Sequence, residues 1–108
     1  MDIFKVIVID DDAFILASMK DILENYFPEL QLCALCRNAV EGMEAIRTHQ
    51  PQIVFLDIEM PGISGFDMLQ QLPAISFETI FITAHGYYAI KAIRYSALDF
   101  LLKSVNVD

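Results

Sequence analysis

The stretch Lys5-Val-Ile-Val-Ile-Asp-Asp-Asp12 decides the fold, because an apolar run stops abruptly at consecutive aspartates. Three more short runs stop at a polar residue in the same way: Gln52–Leu56 at Asp57, Thr79–Ile82 at Thr83, and Asp99–Leu102 at Lys103. Continuous β-branched and aromatic runs are typical of strands buried on both faces, as in a parallel sheet. Because ligands of an open parallel sheet bind beyond the carboxyl ends of its strands, we expect these polar residues to share one functional edge.

Strands and helices are predicted to alternate along the whole chain. A further strand is predicted over Leu30–Cys36, which gives five strands in all. Apolar residues at helical spacing predict a helix after each strand except the last. Asp12 is a predicted N-cap, and Asn38 with Glu41 resembles a capping box. This order predicts a single α/β domain with a parallel sheet and helices on both faces. The predicted inward-facing residues are Ile15, Met19, Ile22, Leu23 and Tyr26 in the first helix, Ala39, Met43 and Ile46 in the second, and Ile90 and Ile93 in the fourth. Phe66, Leu69 and Leu72 predict a short third helix.

Length and charge narrow the classes of function. The 108 residues, 56% of them hydrophobic, are enough for the core of one domain. The net charge of −8 disfavours binding of a nucleic-acid backbone by this domain. No stretch is long and apolar enough to cross a bilayer, and the N-terminus lacks the pattern of a signal peptide, so we expect a cytoplasmic protein with no membrane contact.

Cys33 and Cys36 form a Cys-x-x-Cys string, which in other contexts indicates redox or zinc chemistry. An odd separation along a strand predicts that the two side chains point to opposite faces of the sheet. The sequence has no second pair of cysteines to complete a zinc site. We therefore interpret them as structural thiols in a reducing compartment.

Asp10, Asp11 and Asp57 would repel one another at a shared edge, and either raised pKa values or a bound cation would relieve this repulsion. Mg²⁺ suits such a set, because it binds through a few carboxylates together with water and phosphate oxygens. Asp57 would then be free to attack phosphorus as a nucleophile. Thr83 would supply a hydroxyl donor and Lys103 a positive charge to the phosphoryl oxygens.

Each of these residues also has an ordinary structural interpretation. Asp12 caps a helix, Thr83 alone suits a strand, and Lys103 alone suits a solvated terminus. Glu59 suits a solvent-facing loop, although its backbone carbonyl is within reach of an ion at this edge. The joint pattern favours function, because four separate strand ends carry a chemically complementary set.

The chain resembles the receiver domain of two-component response regulators over essentially its whole length, as one domain spanning residues 1–108. The acidic pair Asp10-Asp11, the segment Asp57-x-x-Met60-Pro61 with Gly65, the pair Thr83-Ala84, and Lys103 stand in the order of that family. The stretches Phe81–His85, Tyr88–Ala92 and Ala97–Lys103 are similar to the LytTR (LytR/AlgR-like) branch.

The resemblance implies a flavodoxin-like (CheY-like) three-layer fold, with a five-stranded parallel sheet in the order 2-1-3-4-5. It implies that Asp57 accepts a phosphoryl group from a sensor histidine kinase, and that Mg²⁺ is held by Asp10 or Asp11, Asp57 and the Glu59 carbonyl. Thr83 would move toward the phosphoryl group, and Phe100 would turn inward in the active state. The output surface would be helix four, strand five and helix five. The domain would be a phosphoacceptor rather than an enzyme, catalysing only its own phosphoryl transfer and autodephosphorylation.

The sequence departs from the family pattern in three places. Ser104 stands where the family usually has proline after the lysine, which predicts either a trans peptide with a displaced loop or a strained cis peptide. The sequence ends at Asp108, before the fifth helix. Either the sequence is a trimmed or ordered part of a longer chain, or the uncovered apolar surface forms a homodimer through the helix-four and strand-five face. DNA binding would require an effector domain that this sequence lacks.

Two other functions compete with this interpretation. One is a pseudo-receiver, the same fold used as a protein-interaction module without phosphorylation. The other is a phosphohydrolase of the haloacid dehalogenase type, suggested by Asp57-x-Glu59 after a strand. In those enzymes the nucleophile follows the first strand, which disfavours the second alternative here.

Overall fold

A computed structural model describes residues 3–82, and within them parallel strands and helices alternate strictly. The sheet order is β2-β1-β3-β4, which confirms the predicted order over these strands. The predicted fifth strand, fourth helix and Phe100 lie outside the described residues. No helix in the described part is long and apolar enough to cross a membrane. The elements are β1 (Phe4–Ile9), α1 (Ala13–Tyr26), β2 (Leu30–Cys36), α2 (Ala39–His49), β3 (Ile53–Asp57), α3 (Gly65–Gln71) and β4 (Glu78–Ile82).

The sheet separates two hydrophobic clusters, one on each face. Val6, Val8 and Phe55 contribute to the cluster that α1 covers, whereas Ile7 and Leu56 contribute to the cluster beneath α2 and α3. Every residue of β3 is buried, as expected for a central strand of a sheet covered on both faces. In the resulting three layers, the carboxyl ends of β1 and β3 lie beside each other.

Side-chain caps begin the helices at the predicted residues. The Asp12 carboxylate accepts a hydrogen bond of 2.8 Å from the Phe14 backbone N–H. At α2, Asn38 Oδ1 accepts from the Glu41 N–H at 2.8 Å, while Glu41 Oε1 accepts from the Arg37 N–H at 3.1 Å. Asn38 thus caps α2 as predicted, while Glu41 reaches one residue past the cap, which makes this a variant of the predicted capping box.

The inward face of α1 differs in part from the prediction, and α3 exposes an aromatic residue. Tyr26, placed inward by its spacing, is 57% exposed at the last residue of α1, and the buried side chain at that end is Phe27. Phe66 is 50% exposed, and Met68 is the fully buried side chain of α3. With only seven residues, α3 is too short for its apolar spacing to define a face. The exposed Phe66 ring packs against the Phe81 ring, with centroids 4.8 Å apart.

A β-bulge in β2 overturns the prediction that Cys33 and Cys36 face opposite sides of the sheet. Val6 pairs with Leu32 and Ile7 with Ala34, so Cys33 is an extra residue on β2. The extra residue shifts the alternation by one position, and both cysteines pack against the cluster beneath α2 and α3. Cys36 is buried, Cys33 is half-buried, and both thiols are free, as the structural interpretation expected.

Candidate functional site

Neighbouring parallel strands bring the acidic residues to one edge of the sheet. Ile9 pairs with Leu56, so Asp10 directly follows β1 beside Asp57, the last residue of β3. The Asp10 backbone N–H donates to the Cys36 carbonyl oxygen at 2.9 Å, which prolongs the pairing of β1 with β2 to this point. One carboxylate oxygen from each of Asp10, Asp11 and Asp57 lies within 4.8 Å of the other two. We call these three residues the aspartate cluster.

The members of the aspartate cluster differ in burial and in hydrogen bonding. Asp10 and Asp57 are 3% and 5% exposed, whereas Asp11 is exposed and opens the cluster to solvent. Asp10 Oδ1 accepts a 2.8 Å hydrogen bond from the Asp12 backbone N–H. Asp57 Oδ1 accepts one of 3.1 Å from the Glu59 backbone N–H. Both buried carboxylates are therefore held by an amide two residues further along the chain.

The pKa of Asp57 is raised to about 7, mainly by burial and then by the charge of Asp10 and hydrogen bonding with the Asp11 side chain. The Glu59 N–H opposes this rise in the pKa of Asp57, because it favours the charged form. The pKa of Asp10 is also raised, first by burial and then by the charges of Asp11 and Asp12, against the Asp12 amide hydrogen bond. None of the ion pairs among residues 3–82 involves the aspartate cluster, so no basic side chain there offsets its charge.

The donor set fits a hard divalent cation. Its ligand atoms are all carboxylate oxygens, and its one exposed member leaves room for water or a further ligand. Mg²⁺ binds in this way, through one or two carboxylates with water and phosphate completing its shell. A cation would also relieve the repulsion that, after burial, contributes to the raised pKa values of Asp10 and Asp57.

The loop after Asp57 is tied to both neighbouring elements. The Ile58 N–H donates to the Ile82 carbonyl of β4 at 3.3 Å, and the Ile58 carbonyl accepts from the Gly65 N–H at 2.8 Å. Gly62, at φ +85°, turns the chain back toward α3 in a left-handed conformation that suits glycine. Met60, a residue of this loop, is buried in the hydrophobic cluster beneath α2 and α3. The Asp57 backbone is thereby fixed between β4 and the first residue of α3.

Of the predicted site residues, the structure brings together Asp10, Asp11 and Asp57. The Glu59 side chain is exposed, and the residue is linked to Asp57 through its backbone N–H. Thr83, Lys103 and the Lys103–Ser104 peptide lie outside the described residues, and their roles stay predictions. Sequence reasoning missed the two amides that hold the carboxylates, for which the only signal is a turn directly after each strand.

Comparison with known proteins identifies the family of the chain. Residues 6–108 match the family described as "Response regulator receiver domain". An uncharacterized response regulatory protein of Shewanella oneidensis is 35% identical over 103 residues, and the transcriptional regulatory protein BtsR of Escherichia coli K12 is 37% identical over 103 residues. Both alignments cover 94% of this chain but 43% of the relative, so the chain spans less than half the length of these relatives.

Solved structures share the fold. The response regulator domain of Thermotoga maritima CheB superposes with a TM-score of 0.79 at 20% identity, covering 98% of each chain. The receiver domain of Erythrobacter litoralis PhyR gives 0.78 at 20% identity, covering 94% of this chain and 92% of the other. These likenesses confirm the flavodoxin-like α/β fold. The family match adds to the strand order and the aspartate cluster, and the chain therefore belongs to the response regulator receiver domain family, the receiving module of two-component signalling.

Proposed function

We propose that this domain accepts a phosphoryl group on Asp57 from the phosphohistidine of a sensor histidine kinase, in a reaction that depends on Mg²⁺. The observation that carries the proposal is the aspartate cluster, two of whose carboxylates are buried at the carboxyl ends of adjacent strands. Such a cluster costs folding free energy, which is a reason to assign it a function. Membership of the receiver-domain family supports phosphoryl transfer as the reaction class.

In the proposed reaction, a carboxylate oxygen of Asp57 attacks phosphorus and forms a new O–P bond. The P–N bond of the phosphohistidine breaks, and its electron pair stays on the imidazole nitrogen. The Glu59 N–H, bonded to Asp57 Oδ1, fixes the orientation of the carboxylate. The attack requires the ionised form of Asp57, which is only partly populated near neutral pH while its pKa lies at about 7.

Asp10, Asp11 and Asp57 would hold Mg²⁺, and the Glu59 backbone carbonyl is a proposed further ligand. When bound, the cation supplies positive charge that offsets the carboxylates and the incoming phosphoryl oxygens. Its positive charge would lower the pKa of Asp57 and so favour the ionised form of this carboxylate at neutral pH. The three carboxylates thereby serve both as ion ligands and as a means of controlling the nucleophile.

The remaining parts of the proposal extend beyond residues 3–82. Thr83 would donate its hydroxyl to the phosphoryl group and Lys103 its charge, and this engagement would switch the output surface. A homodimer through the helix-four and strand-five face is a separate part of the proposal. Because the relative BtsR is named a transcriptional regulatory protein, we propose that the output is transcriptional, through an effector domain of the LytTR type.

Intact-mass spectrometry after incubation with acetyl phosphate and Mg²⁺ tests the proposal. We expect one added phosphoryl group in the wild type and none in Asp57→Asn. Asp67→Asn, an exposed aspartate of α3, is the matched control and should be modified like the wild type. Absence of an adduct with acetyl phosphate and with a phosphorylated kinase domain would contradict the proposal and favour a pseudo-receiver. Continuous turnover of a phosphate ester would instead favour the phosphohydrolase.

A further inference from the structure

Gly65, the first residue of α3, lies directly against the backbone of Asp57. A Cβ atom at this position would collide with the Asp57 carbonyl oxygen and would stand 3.1 Å from Cγ of Leu56 and 3.3 Å from the Asp57 carbonyl carbon. Real Cβ atoms do not approach a backbone oxygen so closely, and a strand backbone cannot rotate away as a side chain can. Only glycine therefore lets α3 begin at this distance from the end of β3.

Gly65 also donates a hydrogen bond to the loop that contains Glu59, whose backbone N–H binds the Asp57 carboxylate. Its N–H donates to the Ile58 carbonyl at 2.8 Å, between Asp57 and the Glu59 amide that holds Asp57 Oδ1. The Ile58 N–H is bonded in turn to Ile82 of β4. Moving α3 away from β3 would therefore shift Ile58, and with it both the carboxylate and its amide donor.

We propose that Gly65 is a positioning residue for Asp57. Because it has no side chain, α3 can pack directly against the Asp57 backbone, and this packing determines the position of the carboxylate within the aspartate cluster. This proposal rests on the proposed function, in which Asp57 is the phosphoacceptor. Gly65 contacts no reacting atom and acts through the 57–59 backbone.

Gly42 of α2 is a natural control, because it is also a buried helical glycine packed on a strand. The three atoms nearest to a Cβ atom there all belong to the Ile9 side chain, and none of them is a backbone atom. Alanine at position 42 therefore strains packing but leaves the strand backbone in place. Ser64, whose hydroxyl accepts from the Asp67 N–H at 3.1 Å, offers a second control that weakens α3 without adding an atom near Asp57.

The test compares Gly65→Ala, Gly42→Ala and Ser64→Ala in the 108-residue chain, at a temperature where circular dichroism shows each to be folded. The initial rate of phosphorylation by acetyl phosphate and the Mg²⁺ dissociation constant are measured for each variant. For Gly65→Ala we expect a rate loss of roughly tenfold to hundredfold and weaker Mg²⁺ binding, since small displacements of a reacting group have effects of this order. Both controls should stay within about twofold of the wild type. A rate and affinity for Gly65→Ala equal to those of the controls would overturn the proposal.

A measurement on the wild type keeps the proposal testable if Gly65→Ala fails to fold. In a Mg²⁺ titration followed by ¹H–¹⁵N NMR, the amides of Gly65 and Glu59 should shift with one common midpoint, and the amide of Gly42 should stay unchanged. A Gly65 amide that does not respond while Glu59 shifts would contradict the proposed coupling. The titration involves no phosphoryl donor, so a wild type that binds Mg²⁺ but accepts no phosphoryl group would contradict the proposed function alone.

Discussion

Asp10 and Asp57 stand side by side at the carboxyl ends of the adjacent parallel strands β1 and β3, with only 3% and 5% of their surfaces exposed. Two carboxylates so placed cannot both ionise without cost, and burial together with the neighbouring charge raises both pKa values. This relationship links the stability of the fold to the proposed chemistry, because whatever neutralises the pair also stabilises the domain.

The pH dependence of stability follows from the pKa of Asp57, which is raised to about 7. The folded chain holds a proton there that the unfolded chain releases, so this stability is present below about pH 4 and is lost as the pH rises toward about 7. In EDTA at about pH 8, Asp57→Asn should raise the free energy of unfolding by about 1–3 kcal/mol, and the gain should disappear near pH 4.

Urea denaturation at the two pH values measures this effect. Asp67→Asn serves as the control, since it changes an exposed carboxylate of α3 and should show no comparable gain. A wild type more stable than Asp57→Asn in EDTA at the higher pH would contradict the account of the aspartate cluster.

Mg²⁺ should stabilise the folded chain. A ligand at about 100 times its Kd adds about 2.7 kcal/mol when it binds only the native state, which corresponds to a rise of several degrees in Tm. We expect this rise in thermal melts of the wild type and its loss in Asp10→Asn. Glu59→Gln should retain it, because the proposed ligand is the backbone carbonyl and the side chain is exposed. A similar rise in Asp10→Asn would indicate general screening of the net charge of −8 rather than a specific site.

Cys33 and Cys36 should differ in reactivity although both pack against the hydrophobic cluster beneath α2 and α3. Burial raises the pKa of the Cys36 thiol to about 11, so little of the reactive thiolate forms at neutral pH, whereas Cys33 is half-buried. In native protein, Cys36→Ser, which retains Cys33, should be alkylated faster by iodoacetamide than Cys33→Ser. In urea, where burial is lost, the two variants should be alkylated at equal rates. Equal rates under native conditions as well would show that the difference in burial does not affect access to the thiols.

The cap of α2 should contribute measurably to stability. Asn38→Ala removes the acceptor for the Glu41 N–H and should lower the free energy of unfolding by about 1 kcal/mol. Asn38→Asp keeps a carboxyl oxygen at the helix start and should retain most of the stability. Chemical denaturation measures both variants, and an alanine variant as stable as the wild type would argue against the capping box.

Much of the fold could be predicted because its signals are local. Apolar runs that end at Asp10 and Asp57 predicted buried parallel strands and a shared acidic edge, and Asn38 with Glu41 predicted the start of α2. The caps are confirmed because they depend on residues close in sequence. The strand order over β1 to β4 came from the family resemblance rather than from spacing alone, and the structure confirms it.

The features that were missed depend on contacts distant in sequence. The bulge at Cys33 has no glycine or proline to signal it, and it reversed the prediction for the faces of the two cysteines. The exposure of Phe66 is set by how the short helix α3 lies on the sheet. Gly65 was recognised as part of the family motif that begins at Asp57. The close approach of Gly65 to the Asp57 carbonyl, however, becomes visible only when β3 and α3 are placed together.

The central claim is that Asp57 is the phosphoacceptor, and reductive trapping tests it most directly. After reaction with acetyl phosphate and Mg²⁺, borohydride reduces an aspartyl phosphate to homoserine, and peptide mass spectrometry locates the product. The account predicts homoserine at position 57 alone, and none when Mg²⁺ is removed with EDTA. Homoserine at position 10 or 11, or trapping at position 57 that is independent of Mg²⁺, would contradict it.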